Sequence, residues 1–568
     1  MVVRRAENIL TGYYFFMKTW LILGLLALAS HCTQAQTVPS LPPVRPTAFR
    51  ADTFAITKFG AVPDGQTLNT GAFTKAIAAC AQAGGGVVLV PPGQWLTGPL
   101  ELQSNVNVHL AAGALVQFSD QLTEYKLIKT SWEGLAAVRN QPLLYGKNLE
   151  NIALTGAGIF DGAGSAWYMV QKARTLDSEW KKLIASGGVL NERQDRWYPT
   201  AQALRGTTVK EAGVLSTEKA NVADFEDIKD HLRPDMLVLD HCQRVLLDGP
   251  TFQNSPAWTL HPLLSEDITI RHVTVLNPPY SPNTDALDLE SCRNGLVEDC
   301  TFSAGDDGIC LKSGRNEQGR ARGVPTENFR IRRCTVYRAH GGFVIGSEMS
   351  GGVRNIYASD LTFIGTDIGL RFKTTRGRGG IVENIFIDQV AMKDIAGEAV
   401  LFDMYYMIKD PTPQVPGSKE RPTSPAMPVD AGTPQFRRIY LSHLTCQGAR
   451  TGILLRGLPE LAIQDISIRE AVLRCDRGLI CIEAKDISLQ HVALLPAATD
   501  PVLEVHNSQN ITLDDIAYPA NAAVLLRVSG AEKSRNIRLL HTATKPARQA
   551  LELGAGVKKS AVLVKESK

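Results

Sequence analysis

An Asn or Asp followed by alternating apolar and polar residues recurs along the chain. The units are Asn151-Ile152-Ala153-Leu154, Asp267-Ile268-Thr269-Ile270, Asn355-Ile356, Asn384-Ile385-Phe386-Ile387, Asp486-Ile487-Ser488-Leu489, Asn510-Ile511-Thr512-Leu513 and Asn536-Ile537-Arg538-Leu539. Alternation with a period of two predicts short strands. Over the C-terminal half most units lie about 21 to 33 residues apart without helical pattern between them, the repeat of one coil of a parallel β-helix. A single coil cannot bury its inward side chains, but a stack can. The competing arrangement, an antiparallel sandwich, calls for tighter turn spacing and hairpin dipeptides. The expected fold class is therefore all-β, a parallel β-helix solenoid.

The start of the solenoid reads differently. Phe59-Gly60-Ala61 to Asp64-Gly65 is expected as a strand and turn. Thr70 then opens a helical pattern with Ala72, Phe73, Ala76, Ile77 and Cys80 on one face, ended by Gly84-Gly85-Gly86 and followed by a buried strand at Val87-Val88-Leu89-Val90. A short one-sided helix here would cap the open end of the hydrophobic stack and block edge pairing. The solenoid is expected over residues 53–545, after a linker at 36–52 and before a C-terminal tail at 546–568. Two stretches break the rhythm: Trp167 to about Arg233, rich in charge and helix formers, and residues 409–435, dense in proline. Insertions of a solenoid collect on one face, where they either wall a groove or remain tolerated surface loops.

Residues Leu21 to Ala29 form a short apolar run behind Lys18, with Thr33-Gln34-Ala35 after it, so residues 1–35 read as a secretory signal peptide. The run is shorter than a membrane span of about 20 residues. Met17 is an alternative start, Arg4-Arg5 a weak twin-arginine hint, and Cys32 follows His31 where a lipoprotein signal normally carries a small residue. Removal of the signal leaves nine cysteines, an odd number, with no CxxC pair. That pattern argues against zinc and for small buried hydrophobes, with room for one or two disulfides in an oxidising compartment.

Charge narrows the function. The 568 residues carry 60 Lys+Arg against 57 Asp+Glu, a net charge of +3, with 44% hydrophobic and 21% charged residues. This is ordinary globular composition and lacks the basic excess of a nucleic-acid binder. Within it, Asp285 in Asn283-Thr284-Asp285-Ala286 precedes the pair Asp306-Asp307 by 21 residues, about one coil, so the three should cluster on one face. Next come His340 in Arg338-Ala339-His340-Gly341-Gly342 and the pair Arg371-Phe372-Lys373, whose two cations share a face by strand alternation. Taken singly, an Asp-Asp pair reads as a turn and Arg-x-Lys as a solvated edge. Together, acids, a histidine and two cations on successive coils are hard to explain by stability, because burying like charges costs free energy. They suit an acidic sugar polymer.

The set resembles glycoside hydrolase family 28, the polygalacturonases, whose pattern is Asn-Thr-Asp, Gly-Asp-Asp, Gly-His-Gly and Arg-Ile-Lys. The resemblance runs from Phe59-Gly60-Ala61 to Pro91-Pro92-Gly93 and on through His340-Gly-Gly-Phe-Val-Ile-Gly-Ser-Glu-Met-Ser-Gly-Gly, which is similar to bacterial members. It implies a right-handed parallel β-helix and inverting hydrolysis of α-1,4-galacturonosyl linkages. Asp306 matches the general acid, Asp285 and Asp307 the pair that holds and deprotonates the attacking water, and His340 the support of the acid. An inverting site sets acid and base about 6.5 to 9.5 Å apart, and crowding of three aspartates gives a reason for one to stay protonated. Arg371 and Lys373 match the grip on the galacturonate carboxylate, Asn283 belongs to the binding motif, and Tyr406 matches a stacking tyrosine, with Tyr405 as the alternative.

Three departures stand out: Ala286 and Ala339 replace glycines beside the catalytic groups, and Phe372 replaces isoleucine. The long interval between Asp307 and His340 resembles exo-acting bacterial members, and the insertion before Arg233 is placed to close the non-reducing end of a groove. Retention of Arg371 and Lys373 favours a uronate over the backbone cut by rhamnogalacturonan hydrolases. Other readings are a xylogalacturonan hydrolase, a calcium-dependent pectate lyase on the same solenoid, and a non-catalytic polysaccharide binder. No cofactor or metal is called for. The expected partner is a pectic polysaccharide, met outside the cell or in the periplasm by a monomeric protein with no nucleic-acid partner and no membrane span after signal removal.

Overall fold

The computed structural model describes residues 41–408 and 424–566. The apolar run before Ala29, the Thr33-Gln34-Ala35 site, Cys32 and the proline-dense centre of the second insertion lie outside the described residues. All the elements below belong to one compact unit, Pro43–Lys568. No helix among the described residues is long and apolar enough to cross a membrane.

The repeating Asn or Asp explains how each coil turns. All seven residues at the heads of the repeats have a left-handed backbone, with φ of 59° at Asn151, 54° at Asp267, 56° at Asn355 and Asn384, 55° at Asp486, 56° at Asn510 and 53° at Asn536. Asn and Asp tolerate this conformation better than other residues with a Cβ. Stacked coils then let the side-chain amides bond to one another. Asn328 donates to Asn294 at 3.2 Å, Asn355 to Asn328 at 3.1 Å and Asn384 to Asn355 at 3.2 Å, and Arg438 Nε closes the ladder on Asn384 at 2.9 Å. A shorter ladder joins Asp486, Asn510 and Asn536.

Inside this corner one apolar column runs in register through Ile268, Gly295, Phe329, Ile356, Ile385, Ile439, Ile466, Ile487, Ile511 and Ile537. Gly295 is required by its neighbour, because a Cβ there would stand 2.0 Å from the Phe329 ring. Among the described residues, 36 strands join one continuous network, paired in parallel from coil to coil, with small antiparallel sheets of three and two strands beside it. The fold is a right-handed parallel β-helix, as expected.

The helix α1 (Thr70–Gln82) buries Ala72, Phe73, Ala76, Ile77 and Cys80, the five residues its periodicity marks, against the strands Thr53–Ala55 and Gly86–Val90. Phe59 differs from expectation: it ends a 3-10 turn, Ile56–Phe59, closed by Gly60 at φ 92°, and the strand lies earlier, at Thr53–Ala55. At the other end, strands Gln549–Leu553 and Val562–Lys565 continue the stack into the segment expected as a tail. All nine described cysteines are free thiols and buried.

Five strands form the row that carries the site: β1 (Leu260–Leu263), β2 (Leu287–Glu290), β3 (Ile309–Lys312), β4 (Gly341–Ile345) and β5 (Ile368–Lys373). Leu260, Leu287, Ile309, Phe343 and Leu370 stack inward in register and are fully buried. The alternate positions Asp288, Cys310, Val344 and Arg371 therefore face outward. The first insertion folds as a 3-10 turn (Lys172–Arg174), the helix α2 (Asp177–Ala185), a small three-stranded sheet and two further helical segments, Ala201–Gly206 and Val222–His231. A hairpin of Leu127–Trp132 and Leu135–Asn140, which no turn dipeptide announces, packs with it around Val138, Phe225, Ile228 and Leu232.

Candidate active site

The backbone brings the aspartates together before any side chain does. Thr259 N–H donates to the Asp285 carbonyl and Ala286 N–H to the Asp307 carbonyl, each at 2.9 Å, so Asp285 and Asp307 occupy matching positions on adjacent coils. Between them Gly305 N–H donates to Thr284 Oγ1 at 3.1 Å. Gly305 is needed for this approach, since a Cβ there would lie 2.1 Å from the Ser281 carbonyl. Ala286 and Ala339, the two departures from glycine, are both buried in the core and neither has a positive φ. Their methyl groups therefore add no backbone strain beside the acids. Phe372 stacks on Phe402 with centroids 4.2 Å apart inside the helix, which leaves Arg371 and Lys373 on the outward face.

Asp307 is the anionic centre. Lys373 Nζ lies 2.7 Å from one oxygen and Arg371 Nη1 3.1 Å from the other, and the carboxylate is 1% exposed. Burial alone would raise its pKa, but Lys373, Arg371 and Lys312 outweigh it and hold the carboxyl well below the ordinary range. Asp285 goes the other way: burial, then the charges of Asp288 and Asp306, push it well above, and Lys312 at 3.8 Å offsets only part. Burial first and crowding second thus favour the neutral form of Asp285 over what an exposed aspartate would show. Asp288 beneath it is pushed by burial to about 7, and neither of its oxygens has a hydrogen-bond partner among the described residues.

Asp306 stands at the edge of the row, where its backbone carbonyl accepts from His340 N–H at 2.7 Å and its carboxylate meets His340 Nδ1 at 3.1 Å. That hydrogen bond raises the imidazole pKa against the opposing effect of burial. Asn283, at φ 52°, accepts from Arg233 Nη2 at 2.7 Å. Tyr406 is the tyrosine that faces the two cations: its ring lies 4.9 Å from Lys373 Nζ and 5.7 Å from Arg371 Cζ. Tyr405 is buried instead between Arg376 and Arg456.

Several neighbours escape sequence reading. Lys312 sits under the aspartates, 3.5 Å from Asp288, 3.2 Å from Glu348 and 4.6 Å above the Trp258 ring. Trp258 stacks on Trp132 of the hairpin, and Arg139 lies 3.6 Å over the other face of that ring while donating twice to the Arg233 carbonyl. Arg233 in turn donates to the carbonyls of Pro256 and Pro282. It ties the end of the insertion to the loop that holds Asn283. The hairpin and insertion, which have no periodic signal, deliver Trp132, Arg139 and Arg233; Glu348 lies inside the matched His340 segment and Lys312 inside the long interval between Asp307 and His340.

Two cavities meet at Asn283. One of about 660 Å³ lies between the insertion and the Asp306–His340 pair, and one of about 310 Å³ is lined by Arg139, Arg233, Arg315, His231, Glu133 and Trp132 among others. Donor atoms of Asp285, Asp307 and Cys310 lie within 4.8 Å of one another. Lys373, Arg371 and Lys312 already supply positive charge there, so a dication would be repelled by three neighbours.

Residues 206–419 match the family model for glycosyl hydrolases family 28. The chain is 30% identical to a probable polygalacturonase of Vitis vinifera over 405 residues, covering 69% of this chain and 72% of the relative. It is 27% identical over 410 residues to an exo-poly-alpha-D-galacturonosidase of Dickeya chrysanthemi, covering 70% of this chain and 62% of that one. The solved exopolygalacturonase from Thermotoga maritima superposes with a TM-score of 0.61 at 30% identity, over 76% of this chain and 89% of that structure.

Proposed function

The chain belongs to glycosyl hydrolases family 28 and is a pectin-degrading glycoside hydrolase, and from that premise we propose that it removes galacturonate from the ends of polygalacturonate, with inversion, outside the cell. The observation that carries the chemistry is the opposite treatment of two buried aspartates, Asp307 paired with two cations and Asp285 pushed up by burial, beside an Asp306 that His340 holds at the groove edge. Asp307, held as an anion by Lys373 and Arg371, is ready to take a proton from water. Asp285, with its raised pKa, holds that water as a neutral or shared partner. Asp306, at the groove edge with His340 on its carboxylate, gives its proton to the leaving glycosidic oxygen. His340, whose charged form Asp306 favours, returns the proton between turnovers.

Arg371 and Lys373 bridge from Asp307 toward Tyr406, so a uronate carboxylate arriving there meets two cations and an aromatic wall. Arg371 Nε has no hydrogen-bond partner among the described residues. Exo action is supported by the insertion and hairpin, which build two walled cavities where an open groove would continue, and by the exo-acting names among the relatives. Secretion rests on the apolar run Leu21 to Ala29.

Digestion of polygalacturonic acid, with products resolved by size and viscosity followed in parallel, tests this. Galacturonate monomer released from the start while viscosity falls slowly is expected. Mixed oligomers with an early collapse of viscosity would replace exo by endo action. Products that absorb in the ultraviolet and disappear with a chelator would replace hydrolysis by elimination.

A further inference from the structure

Asp288 has no part in the reaction described above, yet it is a fully enclosed acid beside the reacting groups. It stands on the outward column of the site row, in register with Cys310 of β3 and three residues after Asp285, and is 0% exposed. The Trp258 ring, backed by Trp132, lies 4.6 Å from the ammonium of Lys312 and helps to close the cluster.

The charges around Asp288 can be paired off one by one. Asp307 has Lys373 and Arg371. Asp235 and Glu290 hold His261 between them, each at 3.1 Å, and Glu290 also takes Arg322 at 2.6 Å. Against burial, the hydrogen bonds to these two carboxylates raise the His261 pKa to about 10, so its charge is spent on them. Glu348 takes Lys312 at 3.2 Å and Arg378 at 3.5 Å. Burial raises the Cys310 thiol, which stays neutral. What remains for Asp285 and Asp288 is the same Lys312, 3.8 Å from the first and 3.5 Å from the second. Two carboxyls thus depend on one cation that already serves a third.

Hydrogen bonds lead to the same count. Oδ1 of Asp285 and both oxygens of Asp288 are buried without a hydrogen-bond partner among the described residues. Two anions here would combine desolvation with like-charge repulsion, whereas one proton on the pair removes a charge and supplies a donor. The directions of titration agree: burial raises both carboxyls, and the charge of Asp288 raises Asp285 further.

We propose that Asp285 and Asp288 carry one proton between them, as one coupled pair, and that Asp288 is a positioning residue that acts through Asp285. This rests on the hydrolytic reading, in which Asp285 holds the attacking water for Asp307. With the proton on Asp288, an oxygen of Asp285 is free to accept from that water while the pair keeps a single negative charge. The pair gains and loses no proton in the turnover, because the water gives its proton to Asp307 and the leaving oxygen takes one from Asp306.

The experiment is a pH titration of the protonated-carboxyl C=O stretch by infrared difference spectroscopy on the wild type, Asp285→Asn and Asp288→Asn. The same preparations, with Asp288→Leu added, are assayed for kcat and KM on polygalacturonate. The wild-type pair is expected to keep a protonated carboxyl above about pH 5, where exposed aspartates are ionised. Glu133 and Glu483, which burial also raises, contribute components common to all the proteins. In each single Asn variant the remaining carboxyl should titrate at least about one pH unit below the final step of the wild-type pair. Should Asp288→Asn fail to fold, the Asp285→Asn titration decides alone. A final step that stays in place in the variants means two independent carboxyls and overturns the proposal. Asp288→Asn, which mimics the protonated acid, should retain about a third of kcat, and Asp288→Leu about a hundredth, with KM within about twofold in both. Equal kcat in these two variants overturns the positioning role. A wild type inert on polygalacturonate overturns that role together with the hydrolytic reading, and the titration still shows whether the pair shares its proton.

Discussion

The outward column of the site row continues in register beyond it, and its two ends treat charge in opposite ways. In the middle coils it runs Asp288, Cys310, Val344, Arg371; after the apolar Leu401, Leu454 and Ile480 it runs Glu504, Arg527, Glu552. At the C-terminal end opposite signs alternate on consecutive coils, and Arg527 donates to Glu552 at 2.8 Å and to Asp500. In the middle, Asp285, Asp288 and Asp307 crowd around Lys312, and oxygens of Asp285 and Asp288 lack hydrogen-bond partners among the described residues. Both ends share the same apolar stack within. Stability therefore asks only for alternating or apolar residues at this position, and the crowded acids need another reason, which the proposed hydrolysis supplies.

Substitutions at the regular end should cost stability and leave activity alone, whereas those in the middle should cost activity and, where they strand a buried charge, stability as well. Asp306→Asn is expected to lower kcat on polygalacturonate by about 10³-fold with an unchanged melting temperature. Lys373→Met would leave Asp307 buried without its nearest cation, so it should lose both activity and about 3 kcal/mol of stability, read by denaturant unfolding. Arg527→Met, the counterpart at the regular end, should lower stability by about 2 kcal/mol and leave kcat/KM unchanged, which initial rates would show. A loss of activity there would break the comparison.

Two finer effects concern pH. Asp285 has a raised folded pKa, so its ionisation opposes folding above the ordinary aspartate value of about 3.9 and has no effect well below it. Asp285→Asn should therefore melt above the wild type at pH 7, with the difference vanishing toward pH 3, while activity is lost. His340 is shifted in the stabilising direction: its pairing with Asp306 is complete below the ordinary histidine value of about 6.5 and is lost as pH rises through the raised one. The smallest effect is thus expected from His340→Gln, a fall in kcat of about tenfold with loss of the alkaline limb that the imidazole sets in the kcat/KM profile.

Much of this was legible from the chain because the coil repeats itself. Asn151 to Asn536 mark corners since each must adopt a left-handed backbone, and α1 shows its buried face since helical periodicity is strict. The 21-residue step from Asp285 to Asp306 was enough to predict adjacency of the acids, whose backbones the structure sets on neighbouring coils. What periodicity could not supply lies where the chain leaves the coil. The hairpin bearing Trp132 and Arg139 and the insertion ending in Arg233 contribute through long-range contacts, |i−j| of 94 for Arg139 and Arg233, that no local pattern encodes. Lys312 lies in the long interval between Asp307 and His340 and was not singled out, because its burial among Asp285, Asp288 and Glu348 depends on separate coils. Tyr405 and Tyr406 are equivalent in sequence and are told apart only by the turn that sends one to Arg376 and the other to Lys373.

The central claim is that the crowded acids act as a proton donor and a separate proton acceptor on opposite sides of the bond. Proton NMR of polygalacturonate cleavage, recorded before mutarotation equilibrates the product, tests it most directly. The account predicts that the first galacturonate appears with its anomeric configuration inverted from α to β. A first product of retained α configuration would mean a covalent intermediate on one of the aspartates and would contradict the division of roles among Asp285, Asp306 and Asp307.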